Sequence, residues 1–323
     1  MKSPVRWGVL GAAKIARLQV CPAIHQAKGG VLGALASRSA HKIQAFVQQY
    51  PGLKIHDDYD TLLTDPDIDA VYVPLPNDMH VEMTRRALLA GKHVLCEKPI
   101  AMAACEIDEL IALRDKTGRL AAEAFMVVHH PQWIRVKEIL ESGEIGRLAH
   151  VSGAFSYNNS ARPDNIRNTS AHGGGGLPDI GVYPVITTRF ATGAEPTSIT
   201  ADIDWQNGID LNARVRTRFA DFSFDFYCSM RMALRQEMLF HGSEGWIRVA
   251  APFNPGGYGD PALEIHLADG TTRRERFADV DQYQLMVEAF NHSATTDSQF
   301  ACPLEFSKGN QMVMDKIIAA DPA

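Results

Sequence analysis

Along roughly the first 125 positions, short and almost unbroken apolar runs alternate with longer amphipathic stretches. The runs are 5–10, 31–36, 69–73, 93–96 and 120–125. Apolar runs of this length, bounded by Gly or Pro, read as strands covered on both faces. The stretches between them have helical spacing: 80–89, closed by Gly91, and 107–117. Pro22 is expected to kink the first helix, and Asn77 to cap the helix that opens at His80. Strands and helices alternating in this way predict a doubly wound parallel sheet, the Rossmann arrangement.

Beyond Phe125 the rhythm changes to period two. Strands are expected at 148–157, 199–206, 209–219, 222–232, 236–242 and 245–249, with few helices between them. Phe222, Phe224 and Phe226 alternate with polar residues, which gives one face an aromatic stripe. Helical spacing returns at 283–292 and 304–319. The fold class is therefore α/β: an N-terminal Rossmann domain over 1–123, and an α+β domain over 124–323 with a large, mainly antiparallel open sheet. The last helix is expected to pack back on the first domain, and the open sheet face to carry a homodimer or larger assembly.

Composition narrows the function classes. A chain of 323 residues is long for a single core, and a net charge of −6 without a dense Lys/Arg block offers no footprint for nucleic acid. The five cysteines are odd in number and form no CxxC pair, which favours free thiols. The first residues run into a strand without a signal-like core, and no apolar run nears the roughly 18 residues of a membrane helix. A cytoplasmic protein with no membrane partner is expected. His129 and His130 are adjacent, with no further ligand at zinc spacing, so no metal site is expected.

The chemistry-bearing residues gather at strand ends. Gly11-Ala12-Ala13-Lys14-Ile15-Ala16 follows the first strand as G-x-G-x-x-G/A with Ala at the second and third places. Small residues are needed there because a pyrophosphate rests against backbone N–H groups at a helix N-terminus. After the second strand stand Ser37 and Arg38, where an NAD-binding fold carries an acidic residue on the ribose. A hydroxyl and a guanidinium suit a 2′-phosphate instead, so NADP is preferred over NAD. Pro74, Leu75, Asn77 and His80 follow the next strand and are cofactor-binding candidates on the nicotinamide side of the cleft, and Glu97-Lys98-Pro99 follows the one after.

With these motifs the chain resembles the Gfo/Idh/MocA oxidoreductase family, and most of all its NADP-dependent branch of D-xylose and dihydrodiol dehydrogenases. The resemblance rests on Gly11-x-Ala13-x-x-Ala16, the stretch from Tyr72 to His80, and Glu97-Lys98-Pro99. It implies that Lys98 is catalytic beside the nicotinamide and that Glu97 neighbours the nicotinamide ribose. It also implies an acidic residue and, four later, a His or Tyr facing the substrate; Asp179 and Tyr183 match that pattern. Where family members often carry arginine before the histidine pair this chain has Val128, so His130 is a substrate candidate without its usual companion.

Asp179 and Tyr183 follow the run Gly173-Gly174-Gly175-Gly176, which is a poor scaffold unless backbone must approach something closely. Asn165 and Arg167, just upstream, are further substrate candidates. The expected function is hydride transfer between NADP and a hydroxyl or carbonyl carbon of a sugar, polyol or dihydrodiol. A keto-sugar reductase working with NADPH and a non-catalytic dinucleotide sensor are the alternatives. Either Tyr183 or Lys98 could move the proton, with the other stabilising charge.

Overall fold

The computed structural model describes residues 3–296 and 298–322; Met1, Lys2, Asp297 and Ala323, which the sequence-based domain limits include, lie outside them. The chain forms two compact units, Met1–His129 with Asp281–Gly309, and His130–Val280 with Asn310–Ala323.

In the first unit six strands, β1 Val5–Leu10, β2 Gly30–Ala36, β3 Lys54–His56, β4 Ala70–Val73, β5 His93–Cys96 and β6 Ala121–Glu123, form one sheet in the order β3-β2-β1-β4-β5-β6. Every pairing is parallel. Helices α1 Cys21–Gln26, α2 Ala40–Gln49, α3 Tyr59–Leu63, α4 His80–Leu89 and α5 Glu106–Thr117 connect the strands. The core holds Leu10, Val71, Val73, Val94, Ile107 and Leu110, all fully buried. Strands covered on both faces need such continuous apolar runs, which is why they were readable. The reversal of strand order lies between β1 and β4, the place where such sheets take their ligands.

This unit also recruits α8 Gln282–Thr295 and the start of α9 Leu304–Ala319. The anchor is Trp7 in β1, fully buried, whose indole N–H donates to Asn291 Oδ1 on α8 at 2.9 Å. Its ring lies 4.9 Å from Phe290, centroid to centroid. On α9, Leu304 joins the core and Glu305 pairs with Arg114. Division at a single point near 123 therefore differs from the compact units, because contacts between residues almost 300 positions apart decide it.

One local expectation gains its physical form and another is corrected. Pro22 is accommodated by a π-helical turn, Ala16–Val20, in which the Cys21 N–H bonds to the Ala16 carbonyl. The wider turn absorbs the proline's missing donor and bulky ring. Asn77 does not cap α4: a 3₁₀ turn, Asn77–Met79, intervenes, and Met79 is the residue preceding the helix.

The second unit is built on eight strands: β7 Leu148–Asn158, β8 Ser198–Gln206, β9 Ile209–Arg218, β10 Ser223–Ser229, β11 Arg231–Gly242, β12 Gly245–Val249, β13 Ala262–Leu267 and β14 Thr272–Arg276. Their order is β14-β13-β12-β11-β7-β10-β9-β8, antiparallel throughout except for β7 with β10. Helices α6 Pro131–Ser142 and α7 Val182–Thr192 belong to the same unit. Phe224 and Phe226 are buried, Ser223, Asp225 and Tyr227 beside them are half-exposed, and so is Phe222, which precedes the strand. The aromatic stripe is thus the packed face, as period two requires.

Candidate active site

At the carboxyl end of β1, Gly11 has φ +112°, a conformation that side chains rarely adopt. A Cβ there would come within 2.8 Å of Leu75 in the loop after β4. The helix following it starts at Lys14, so its opening N–H groups have no intrahelical acceptors. Backbone that a single methyl would obstruct, leading into free helix donors, fits a dinucleotide pyrophosphate. Ser37 is buried and its hydroxyl accepts the Ser39 N–H at 3.2 Å; Arg38 is exposed at the start of the following turn.

Beyond β5, the Glu97 N–H bonds to the Val73 carbonyl at 3.1 Å, which carries the parallel ladder one residue past the strand. The Glu97 carboxylate accepts the phenol of buried Tyr72 at 2.5 Å, and Tyr283 from α8 stands in its field. Burial first, and the Glu97 charge second, hold the Tyr72 hydroxyl protonated far above its ordinary range. Glu97 is therefore fixed as an acceptor, and the main chain of Lys98 with it.

His80 has a different task from the one its sequence position suggested. Its ring is 1% exposed, with Nδ1 2.7 Å from the Pro99 carbonyl and Nε2 2.8 Å from the Leu75 carbonyl. It ties the loop after β4 to the loop after β5. Burial pulls its pKa below the usual histidine value, against the two carbonyls, which favour the protonated ring.

The second unit assembles its own cluster. Leu177–Gly181 is another π-helical turn that runs into α7, and Pro184, which offers no N–H to the helical ladder, follows shortly after it. Asp179 is carried by this turn and Tyr183 by the start of α7. Arg167 Nε pairs with Asp179 Oδ1 at 2.8 Å, and the Tyr157 hydroxyl donates to Asp179 Oδ2 at 2.6 Å. Arg167 also acts electrostatically on Tyr183 and is held firmly charged, first by Asp179. The Tyr183 ring is buried against Phe155 and Phe253, each centroid 5.6 Å away.

The four glycines now have a reason. Asp210 of β9 thrusts its buried carboxylate into their backbone and accepts the Leu177 N–H at 2.6 Å. A Cβ on Gly175, whose φ is +132°, would overlap Oδ1 of that carboxylate. One on Gly174 would lie 2.6 Å from the Arg167 carbonyl. The Gly174 and Gly175 N–H groups bond to the Thr169 and Arg167 carbonyls, both at 3.0 Å. The glycine run thereby clasps the segment that presents Arg167, and Asn165 shapes it by accepting the Arg167 N–H at 3.0 Å.

Asp179, Tyr183 and Arg167 are thus brought together. His130 is not among them: it is fully buried, caps α6 by accepting the Gln132 N–H at 3.2 Å, and packs edgewise on Phe277. Tyr157, Tyr72, Glu123 and Asp210 were missed by sequence reasoning. Each sits inside a strand and reaches its partner across the fold; only the glycine run hinted at the last. Among the described residues no helix is long and apolar enough to cross a membrane, and no cluster of metal-ligating side chains occurs.

Residues 5–125 match the oxidoreductase family with an NAD-binding Rossmann fold, and residues 133–248 match the GFO/IDH/MocA C-terminal domain. An uncharacterized oxidoreductase of Rhizobium meliloti is 38% identical over 322 residues, which cover 97% of this chain and 96% of that protein. The dTDP-3,4-didehydro-2,6-dideoxy-alpha-D-glucose 3-reductase of Actinomadura kijaniata is 33% identical, covering 89% of this chain and 87% of the relative. The crystal structure of KijD10, a 3-ketoreductase from Actinomadura kijaniata in complex with NADP and TDP-benzene, superimposes with a TM-score of 0.90. It is 28% identical and the match covers 99% of this chain and 98% of that one. Matched in both halves and along almost its whole length, this chain belongs to the Gfo/Idh/MocA oxidoreductase family.

Proposed function

We propose that this oxidoreductase is an NADP(H)-dependent enzyme that interconverts one carbonyl and one secondary alcohol of a sugar, working as a keto-sugar reductase. The observation that carries the reading is the Arg167–Asp179–Tyr157 network around Tyr183. It sets a phenol beside a fixed carboxylate and a guanidinium, groups suited to a polyhydroxylated substrate with one reacting oxygen. Similarity to sugar 3-ketoreductases along the chain favours reduction over the dehydrogenase direction.

Gly11 to Ile15 would hold the cofactor's pyrophosphate, and Ser37 and Arg38 the 2′-phosphate. Pro74, Leu75, Asn77, Glu97 and Lys98 would border its nicotinamide end. The cofactor, when bound, supplies or accepts the hydride. The protein's task is the proton. In reduction the Tyr183 O–H gives its proton to the carbonyl oxygen, which becomes the hydroxyl, and recovers one from solvent. The Lys98 ammonium stabilises the negative charge that develops on that oxygen. Asp179, with both oxygens already engaged, accepts a neighbouring sugar hydroxyl on a remaining lone pair and orients the ring. The opposite assignment of Tyr183 and Lys98 is the second reading.

Keto-sugars, with and without a nucleotide, offered with NADPH and followed by its absorbance test this. Lys98→Ala and Tyr183→Phe should each lower kcat by about 10²–10⁴-fold, the usual contribution of a positioned acid. Near-native turnover in both variants would sink the assignment. The five cysteines, all free thiols, support a reducing compartment and hence the cytoplasm.

A further inference from the structure

The peptide group joining Pro99 to Ile100 is met on both polar atoms by buried titratable side chains. Its carbonyl faces His80 Nδ1 at 2.7 Å, and its N–H donates to Glu123 Oε1 at 2.8 Å. Glu123 is the last residue of β6, in register with Cys96 at the end of β5, and is 3% exposed. The Ala124 N–H donates to the Cys96 carbonyl at 2.7 Å, so main-chain bonds fix the spacing of the two strand ends. Lys98 stands two residues before Ile100, and its charge acts on the Glu123 carboxylate. A buried carboxylate is a poor choice for packing alone, since an apolar side chain fills the same volume without the desolvation cost.

We propose that Glu123 is a positioning residue for Lys98, holding the loop after β5 through the Ile100 N–H and steadying the ammonium by its charge. The ionised carboxylate is the stronger acceptor and the only form that attracts Lys98. Protonation therefore loosens the hold. The groups facing Glu123 are Lys98 and Glu97 from that loop, the Ile100 N–H and the Ser307 hydroxyl from α9. Burial raises its pKa; Ser307, the Ile100 N–H and Lys98 draw it down, Glu97 pushes it up, and it stands at about 7 against an ordinary 4.5. The switch thus operates at neutral pH. Only its consequence for turnover rests on the role proposed for Lys98; the hold itself does not.

The test follows the Ile100 amide resonance of isoleucine-labelled, full-length protein through the neutral range. In the wild type it should shift with a midpoint near pH 7, and in Glu123→Gln this shift should vanish. Lys98→Met should raise the midpoint, because the cation that favours the carboxylate is gone, and Glu97→Gln should lower it. With NADPH and a keto-sugar, Glu123→Gln should lose the acid limb of kcat, with NADPH affinity held within about twofold. An Ile100 titration unchanged in Glu123→Gln, or a midpoint unmoved by Lys98→Met, overturns the proposal. Should Glu123→Gln fail to fold, the Lys98→Met midpoint still decides. Amide shifts as expected with an acid limb retained would support the hold and refute the role given to Lys98 in turnover.

Discussion

Lys98 and the Asp179–Tyr183 pair are presented in opposite ways. Lys98 stands at the end of a parallel strand, and the Glu97 N–H extends the ladder with β4 by one bond to Val73. Its place is dictated by backbone pairing that continuous apolar runs announce. Asp179 stands on a π-helical turn reached through Gly174 and Gly175, where a side chain would strike the Arg167–Thr169 backbone or the Asp210 carboxylate of β9 lodged there. One site grows out of the sheet's regular structure; the other is wedged open by a single buried carboxylate. The second should therefore be far more sensitive to changes in residues that touch no ligand.

Gly175→Ala tests that difference most severely. It forces a side chain into φ +132° and onto the Asp210 carboxylate, whereas Gly91→Ala meets φ +77° with nothing within 4 Å. Strain alone costs about 1–3 kcal/mol, and the overlap comes on top of it. Gly175→Ala should lower kcat/KM by at least about 10²-fold, while NADPH affinity, read by its fluorescence, changes by less than about twofold. Gly91→Ala should cost stability and leave turnover alone. Loss of NADPH binding in Gly175→Ala would erase the contrast between the two sites.

The two buried carboxylates sharpen it through pH. Burial raises Asp210 from 3.8 to about 6, against the pull of the Leu177 N–H. The folded chain then holds more protons at Asp210 than the unfolded one between those values, so the contribution of this group to stability is fully present below about 3.8 and is lost as pH rises to about 6. The loss is on the order of 2–3 kcal/mol. Glu123 acts with the same sign between 4.5 and about 7. Urea unfolding across pH should show Asp210→Asn abolishing the lower part of this decline and Glu123→Gln the upper part. A decline untouched by Asp210→Asn would mean that its carboxylate is not the wedge.

The same contrast decides how far the sequence could be read. The six parallel strands were legible, apart from the three-residue β3, because strands covered on both faces must be apolar throughout. So was Lys98, since the strand before it fixes where it stands. Gly173 to Gly176 signalled a close approach without naming the intruder, because Asp210 lies more than thirty residues away in an unremarkable strand. His80 and His130 read as ligand-facing polar residues. Only burial and the neighbouring Pro99 carbonyl and Gln132 N–H reveal that both hold backbone in place. Trp7 lies within the first apolar run without any mark of its partner, yet its bond to Asn291 draws a C-terminal helix into the first unit.

The smallest effect belongs to Arg38, which tests whether strand ends in the first unit are also specific at their exposed tips. Ala36-Ser37-Arg38-Ser39 closes β2 without a carboxylate, and the Ser37 hydroxyl is already engaged by the Ser39 N–H. That bond leaves the Ser37 O–H free to donate, but the guanidinium is the group that brings a full positive charge to a 2′-phosphate. A charge-assisted bond contributes about 1.5–3 kcal/mol, so Arg38→Ala should weaken NADP binding by about 10–100-fold and NAD binding by less than about twofold. Because Arg38 is exposed, added salt should narrow the gap. A salt-insensitive gap would place the discrimination on a buried group. Equal losses for both nucleotides would make Arg38 a prop for the turn, leaving the absence of an acidic residue as the sole source of preference.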